Sequence, residues 1–145
     1  MLRIVLDTNV LVSAIIRNGK PRKLFQMGID GKYKILISKE TLDELSEVIQ
    51  KPKFKMTSED VVRIVSALME TGENVRITSN FKVINNDPDD NIIINTAYDG
   101  KADYIVSGDK DIKNLKNFKK IKIVSVDEML KFLQKWVQNS PMMVA

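Results

Sequence analysis

Short apolar runs alternate with amphipathic stretches along the whole chain, and that alternation limits the possible folds more than any other feature. Residues 2–6 read as a short buried strand ending in Asp7-Thr8-Asn9, and residues 10–16 as a helix. After the turn Asn18-Gly19-Lys20-Pro21, residues 22–29 carry Leu24, Phe25 and Ile29 at helical spacing. Residues 33–37 give a second strand; Ser38 then caps a helix through Ile49, which Lys51-Pro52 ends. Residues 58–70 predict a further helix with Val61, Ile64, Val65 and Leu68 inward, and residues 75–77 a short strand. The isoleucine run that starts at Ile92 and continues to Tyr98 reads as a helix closed by Gly100. Residues 104–106 and 121–124 are strands, and the capping box Ser125-Val126-Asp127-Glu128 opens a last helix through Trp136. Strands alternating with helices predict an α/β fold, a three-layer sandwich whose central sheet is mostly parallel and carries helices on both faces. One domain is expected over residues 1–139, with a loose tail over residues 140–145.

The 145 residues include neither Cys nor His. That removes disulfides, thiolate or imidazole zinc sites, thiol nucleophiles and histidine acid–base pairs. An enzyme built from this chain works with carboxylates, and carboxylates suit a hard metal. The net charge of +4 mildly favours a polyanionic partner. No stretch approaches the ~18 apolar residues of a membrane span, and the apolar start is too brief for a signal peptide, so a cytoplasmic protein with no membrane partner is expected.

In an open parallel sheet, ligands bind beyond the carboxyl ends of the strands. Asp7 directly follows the first strand, and Asp109 lies just past the strand ending at Val106. Asp90 stands at a helix start and Glu44 in the first turns of the helix after the second strand. Four acids at one rim repel one another unless protonated or bridged by cations. Each also has a simpler reading. Asp7 is a natural helix N-cap, and Glu44 follows Thr41 at capping-box spacing or is simply solvated. Asp87, Asp89 and Asp90 form a turn-and-cap cluster suited to a helix N-terminus. Asp109 and Asp111 read equally as loop and cap residues. Their joint placement, rather than any one of them, suggests a site.

These blocks resemble the PIN-domain ribonucleases over nearly the whole chain, and within them the bacterial and archaeal toxin components of toxin–antitoxin systems related to the VapC toxins. The resemblance lies in Ile4-Val5-Leu6-Asp7-Thr8-Asn9-Val10, Leu36-Ile37-Ser38, Leu42-Asp43-Glu44-Leu45, Lys51-Pro52-Lys53-Phe54, Asp87-Pro88-Asp89-Asp90 and Ala102-Asp103-Tyr104-Ile105-Val106-Ser107-Gly108-Asp109-Lys110-Asp111. It implies a catalytic quartet of Asp7, Glu44, Asp90 and Asp109, supported by Thr8, Asn9, Ser107 and Asp111. Relatives of this branch often carry an acid where this chain has Asn91, which leaves Asp89 beside Asp90 as a candidate for the third place.

The resemblance implies a Mg²⁺- or Mn²⁺-dependent endoribonuclease, with one or two ions held by Asp7, Asp90 and Asp109. Without histidine, water activated by the cation is the natural nucleophile. Glu44 would orient that water or act as base. Arg17, Lys20, Arg22 and Lys23, with Lys110 and Lys113, flank the acidic rim in sequence and are candidates to meet RNA phosphates. Phe118 fits either base stacking or core packing. An antitoxin partner and a homodimer are implied by resemblance alone. A housekeeping RNA-processing nuclease and a non-catalytic binding module are the alternatives. A dehalogenase-type phosphotransfer site needs an acid where Asn9 stands, and no Gly-rich phosphate loop follows the first strand.

Overall fold

The computed structural model describes residues 1–139, with side chains through residue 135. The tail expected over residues 140–145 and the packing of Trp136 lie outside the described residues. The elements run β1 (Arg3–Leu6), α1 (Thr8–Ile16), α2 (Lys20–Ile29), β2 (Lys34–Ser38), α3 (Lys39–Ile49), a short 3₁₀ turn (Pro52–Phe54) and α4 (Ser58–Thr71). They continue with β3 (Glu73–Val75), α5 (Asp90–Asp99), β4 (Tyr104–Val106), α6 (Lys110–Lys113), β5 (Asn117–Phe118), β6 (Ile121–Val124) and α7 (Val126–Asn139).

The strands form one sheet in the order β3-β2-β1-β4-β6-β5, parallel except for β5. Alternation along each strand divides the core in two. Ile4, Leu6, Ile35, Ile37 and Val106 face one way, into a cluster with Leu11, Leu24, Leu45, Leu68 and Leu133 from α1, α2, α3, α4 and α7. Val5, Leu36, Ile105 and Ile123 face the other way, against Ile94 and Ala97 of α5 and Ile112 of α6. Helices therefore cover both faces, the three-layer arrangement expected of the sequence.

Three local expectations change. The third strand occupies Glu73–Val75 rather than residues 75–77. Its partner β2 ends at Ser38, which pairs with Val75, so residues beyond Val75 have no strand to join. The Arg3 guanidinium also draws Glu73 inward, pairing with its carboxylate and donating to the Gly100 carbonyl at 2.8 Å. Second, α6 and the edge strand β5 fill a stretch that reads as loop. Third, Phe118 packs edge-to-face on Phe81 at 5.0 Å between ring centroids, and Phe81 likewise on Tyr98 at 4.7 Å. Those contacts favour the packing role for Phe118.

Helix α5 holds its preceding segment with side chains instead of a strand ladder. Asn91 Oδ1 accepts from the Val83 and Ile84 amides at 3.0 and 2.9 Å while its Nδ2 donates to the Ile84 carbonyl at 2.9 Å. Asn95 does the same for Phe81, at 2.8 Å for the amide and 3.1 Å for the carbonyl. Asp99 accepts from the Thr78 and Ser79 amides at 2.7 and 2.9 Å. Residues four apart on one helix face thus satisfy the backbone of a segment that has no sheet partner. At Asn91 both the donor and the acceptor are used, so an ionised carboxylate there could not make the same set.

Candidate functional site

The chain leaves β1 for β2 on one side and later returns to place β4 on the other side of β1. The carboxyl ends of β1 and β4 therefore form the topological switch point, where a crevice opens in such sheets. The register pairs Leu6 with Val106, so Asp7 and Ser107 leave the sheet side by side. A polar cavity of about 150 Å³ lies there, lined by Asp7, Thr8, Asn9, Glu44, Asp87, Asp89, Asp90, Ile93 and Asp109. All four acids singled out from the sequence line it.

Asp7 is only 4% exposed and does two jobs. Its Oδ1 caps α1 by accepting from the Val10 amide at 2.8 Å, and its Oδ2 accepts from the Ser107 hydroxyl. The N-cap reading holds, and it leaves each carboxylate oxygen a further lone pair that faces no helix amide. Burial pushes the Asp7 carboxyl above its ordinary range; the bonds from Ser107 and Val10 oppose this, and Asp109 and Glu44 add to it. Ser107 Oγ also accepts from the Asp109 amide at 3.0 Å, so one hydroxyl ties two acids together. Asp109 caps α6 through Oδ1, at 2.8 Å from the Asp111 amide.

Glu44 is not part of a capping box. Ser38 caps α3 by accepting from the Thr41 amide at 3.2 Å, which leaves Glu44 two turns in and free to cross to α1. Its Oε2 accepts from the Thr8 hydroxyl at 3.1 Å. Burial, then Asp89 and Asp87, push the Glu44 carboxyl up.

Asp90 is strongly perturbed as well. Its carboxyl moves from the ordinary 3.8 to about 7, through burial first and then repulsion from Asp109, Asp87, Asp7 and Asp111. The α5 N-terminus favours the charged form, so burial and repulsion outweigh the dipole. Among the described residues, the buried Asp90 Oδ2 has no hydrogen-bond partner. Carboxylate oxygens of Asp90, Asp109 and Asp111 lie within 4.8 Å of one another. A buried, unpartnered oxygen among converging hard donors fits Mg²⁺ or Mn²⁺. Asp7 stands outside that compact trio, since both its oxygens turn to Val10 and Ser107. Asp111 instead completes it, held at 3.3 Å by the Asn86 amide.

Asp89 lies on the rim and caps α5 without a side-chain bond, and Asn9 is exposed beside it. Asp87 also lines the cavity, a place its Asp-Pro-Asp-Asp turn did not disclose. No cation lines the cavity among the described residues. Arg22 donates to the Ala14 and Ile15 carbonyls at 2.9 and 2.8 Å, closing the end of α1, and Lys20 pairs with Asp127 at 2.9 Å. Arg17, Lys23, Lys110 and Lys113 are exposed.

The raised carboxyls make stability depend on pH in a definite sense. The native state keeps a proton on Asp90 that the unfolded chain releases, so the metal-free protein is expected to lose stability as pH rises from about 4 to about 7, with no further loss from Asp90 above that. Asp7 and Glu44 act in the same direction. Thermal unfolding in EDTA across this range checks it; a melting temperature that climbs with pH contradicts it.

Among the described residues no helix is long and apolar enough to cross a membrane. The family described as PIN domain matches residues 3–111. Over 120 residues the chain is 32% identical to an uncharacterized protein of Methanocaldococcus jannaschii, covering 80% of this chain and 76% of that protein. The crystal structure of VapBC2 from Rickettsia felis bound to a DNA fragment from their promoter contains a chain of the same fold, with a TM-score of 0.59 at 18% identity. The match covers 86% of this chain and 98% of that one.

Proposed function

The chain belongs to the PIN domain family, and on that premise we propose that it is a divalent-metal-dependent ribonuclease, the toxin of a toxin–antitoxin pair acting in the cytoplasm. The observation that carries the chemistry is the buried, unpartnered Asp90 oxygen among the carboxylates of Asp109 and Asp111. Such a cluster is costly in water alone and is stabilised by a bound cation.

Asp90, Asp109 and Asp111 would hold the ion, with Asp7 at the cavity floor. Bound there, Mg²⁺ or Mn²⁺ supplies Lewis-acid stabilisation of the phosphoryl oxygens and lowers the pKa of water. The Glu44 carboxylate, fixed by Thr8, accepts a proton from the attacking water. The water oxygen bonds to phosphorus while the bond from phosphorus to the leaving sugar oxygen breaks, and that oxygen takes a proton from solvent to leave as a hydroxyl. Asn9, exposed on the rim, has an amide free to donate to a phosphate oxygen. Ser107 fixes the separation of Asp7 and Asp109. Exposed Lys110, Lys113, Arg17 and Lys23 supply the attraction for the backbone that the acidic cavity lacks.

The test is cleavage of a mixed pool of single-stranded and structured RNA by the purified protein. Cleavage in Mg²⁺ or Mn²⁺ is expected, with loss in EDTA and in Asp7→Asn. Equal cleavage by wild type and variant would assign the activity to a contaminant and remove the proposal. An antitoxin and a second copy of the chain are the proposed protein partners, supported by the resemblance to VapC toxins. An adjacent gene for a small DNA-binding protein would favour the toxin role over housekeeping RNA processing.

A further inference from the structure

Beside the acidic cavity lies a larger one, of about 540 Å³, between the strapped segment, the outer face of α5 and the first turn of α3. Its volume falls in the ~300–1,000 Å³ range of small-ligand clefts. The two cavities are neighbours. Glu40 lines this one and Glu44 the other, one turn apart on α3. Pro88 lines this one, between Asp87 and Asp89, which line the other.

Its walls are of two kinds. Ile77, Ile92 and Pro88 give apolar surface, whereas Asn80, Asn85 and Lys82 give polar groups. The Asn91 and Asn95 side chains each hold the segment to α5 through both their oxygen and their nitrogen. Asn80 and Asn85 are exposed and, among the described residues, commit their side chains to no hydrogen bond. Apolar faces with amide edges suit a flat heterocycle: the faces cover its rings and an amide pairs with its edge at once as donor and acceptor. Glu40 accepts only, and so selects for a ring whose edge presents an amine over uracil, whose N3–H lies between two carbonyl oxygens.

We infer that this cavity seats one unpaired nucleobase bearing an exocyclic amine, adenine, cytosine or guanine, next to the phosphate that water attacks at the acidic cavity. The inference rests on the nuclease reading and narrows it: the substrate is single-stranded at the cut, because a stacked base in a duplex cannot enter. Lys82 at the mouth meets the phosphate of the seated nucleotide.

The test uses the wild-type protein labelled with ¹⁵N, read through the side-chain amide signals of Asn80 and Asn85. Adenosine, cytidine, guanosine and uridine 5′-monophosphates and ribose 5-phosphate are titrated in turn. AMP, CMP or GMP is expected to move both signals, at least about fivefold more tightly than UMP, and ribose 5-phosphate to leave them in place. Silence with every nucleotide, or equal movement by ribose 5-phosphate, overturns the inference. A separate arm adds Mn²⁺ and reads broadening around Asp90 and Asp109. Broadening there with silent asparagines removes the base site and leaves the nuclease reading; asparagine shifts without broadening do the reverse.

Discussion

Asp90→Asn is expected to stabilise the metal-free protein and to lower RNA cleavage by more than about 100-fold. Both effects have one origin. The wild-type carboxyl is pushed to about 7, so at neutral pH its charged form sits in surroundings that disfavour it. An amide removes the repulsion from Asp109, Asp87, Asp7 and Asp111, and its Nδ2 can donate to neighbouring carboxylates where the charged Oδ2 finds no donor among the described residues. The lost attraction between a charge and the α5 N-terminus, ~0.3–1 kcal/mol, opposes this but does not reverse it. For catalysis the sign is opposite. Changing the partners of metal ligands costs ~10–100-fold, and loss of a direct donor exceeds that. Mn²⁺ is expected to raise the melting temperature of wild type, by mass action, and not that of the variant. Thermal unfolding with and without Mn²⁺, beside a cleavage assay, measures both. An Asp90→Asn protein that is less stable and equally active would remove Asp90 from the site.

Leu45→Ala is expected to cost about 2–5 kcal/mol of folding stability. Leu45 is 0% exposed and packs in the cluster that α1, α2, α3, α4 and α7 share on one face of the sheet. Truncation removes its transfer free energy and leaves a void that rigid neighbours fill only in part. Against a total of ~5–15 kcal/mol for a domain, that is a large share. Val62, 63% exposed on α4, is the control: Val62→Ala is expected to stay within ~0.5 kcal/mol. Urea denaturation measures both. A Leu45→Ala cost under ~1 kcal/mol would mean that α3 is not anchored through this residue.

The parts of the fold legible in the sequence are those where a local signal and the tertiary structure agree. Ser38 caps α3 and Ser125 with Glu128 boxes the start of α7, both as their spacing predicts. The strand at Tyr104–Val106 is bounded as expected because apolar residues stop at Ser107. The hairpin of β5 and β6 was illegible because its two-residue turn, Lys119-Lys120, has none of the Asn-Gly or Asp-Gly chemistry that marks such turns, although Lys119 takes the positive φ of 55°. The third strand lies earlier than its sequence suggests because its limit is set by the end of β2, where Val75 pairs with Ser38 from a distant part of the chain.

At the site, Asp7, Asp90 and Asp109 stand out in the sequence because each follows a strand or begins a helix, and Glu44 because it lies early in the helix after β2. What was not legible is what each acid does with its two oxygens. Asp7 spends both on Val10 and Ser107, whereas Asp111 turns toward Asp90 and Asp109. Asn86, which holds Asp111, has no motif of its own. The strap of Asn91, Asn95 and Asp99 was missed for a related reason: three polar residues on a helix face read as solvated until the segment they hold is seen.

The pairing of Leu6 with Val106 also governs how this protein can change length over evolutionary time. One residue gained within β1 or β4 would slide Asp7 past Ser107 and turn every following side chain to the opposite layer. The connection from Gln50 to Thr57, by contrast, joins α3 to α4 far along the chain from those strand ends, and it can lengthen without disturbing either. Divergence among descendants of this chain therefore has room in its helical connections and almost none in the seven residues of β1 and β4 that hold the acids in line.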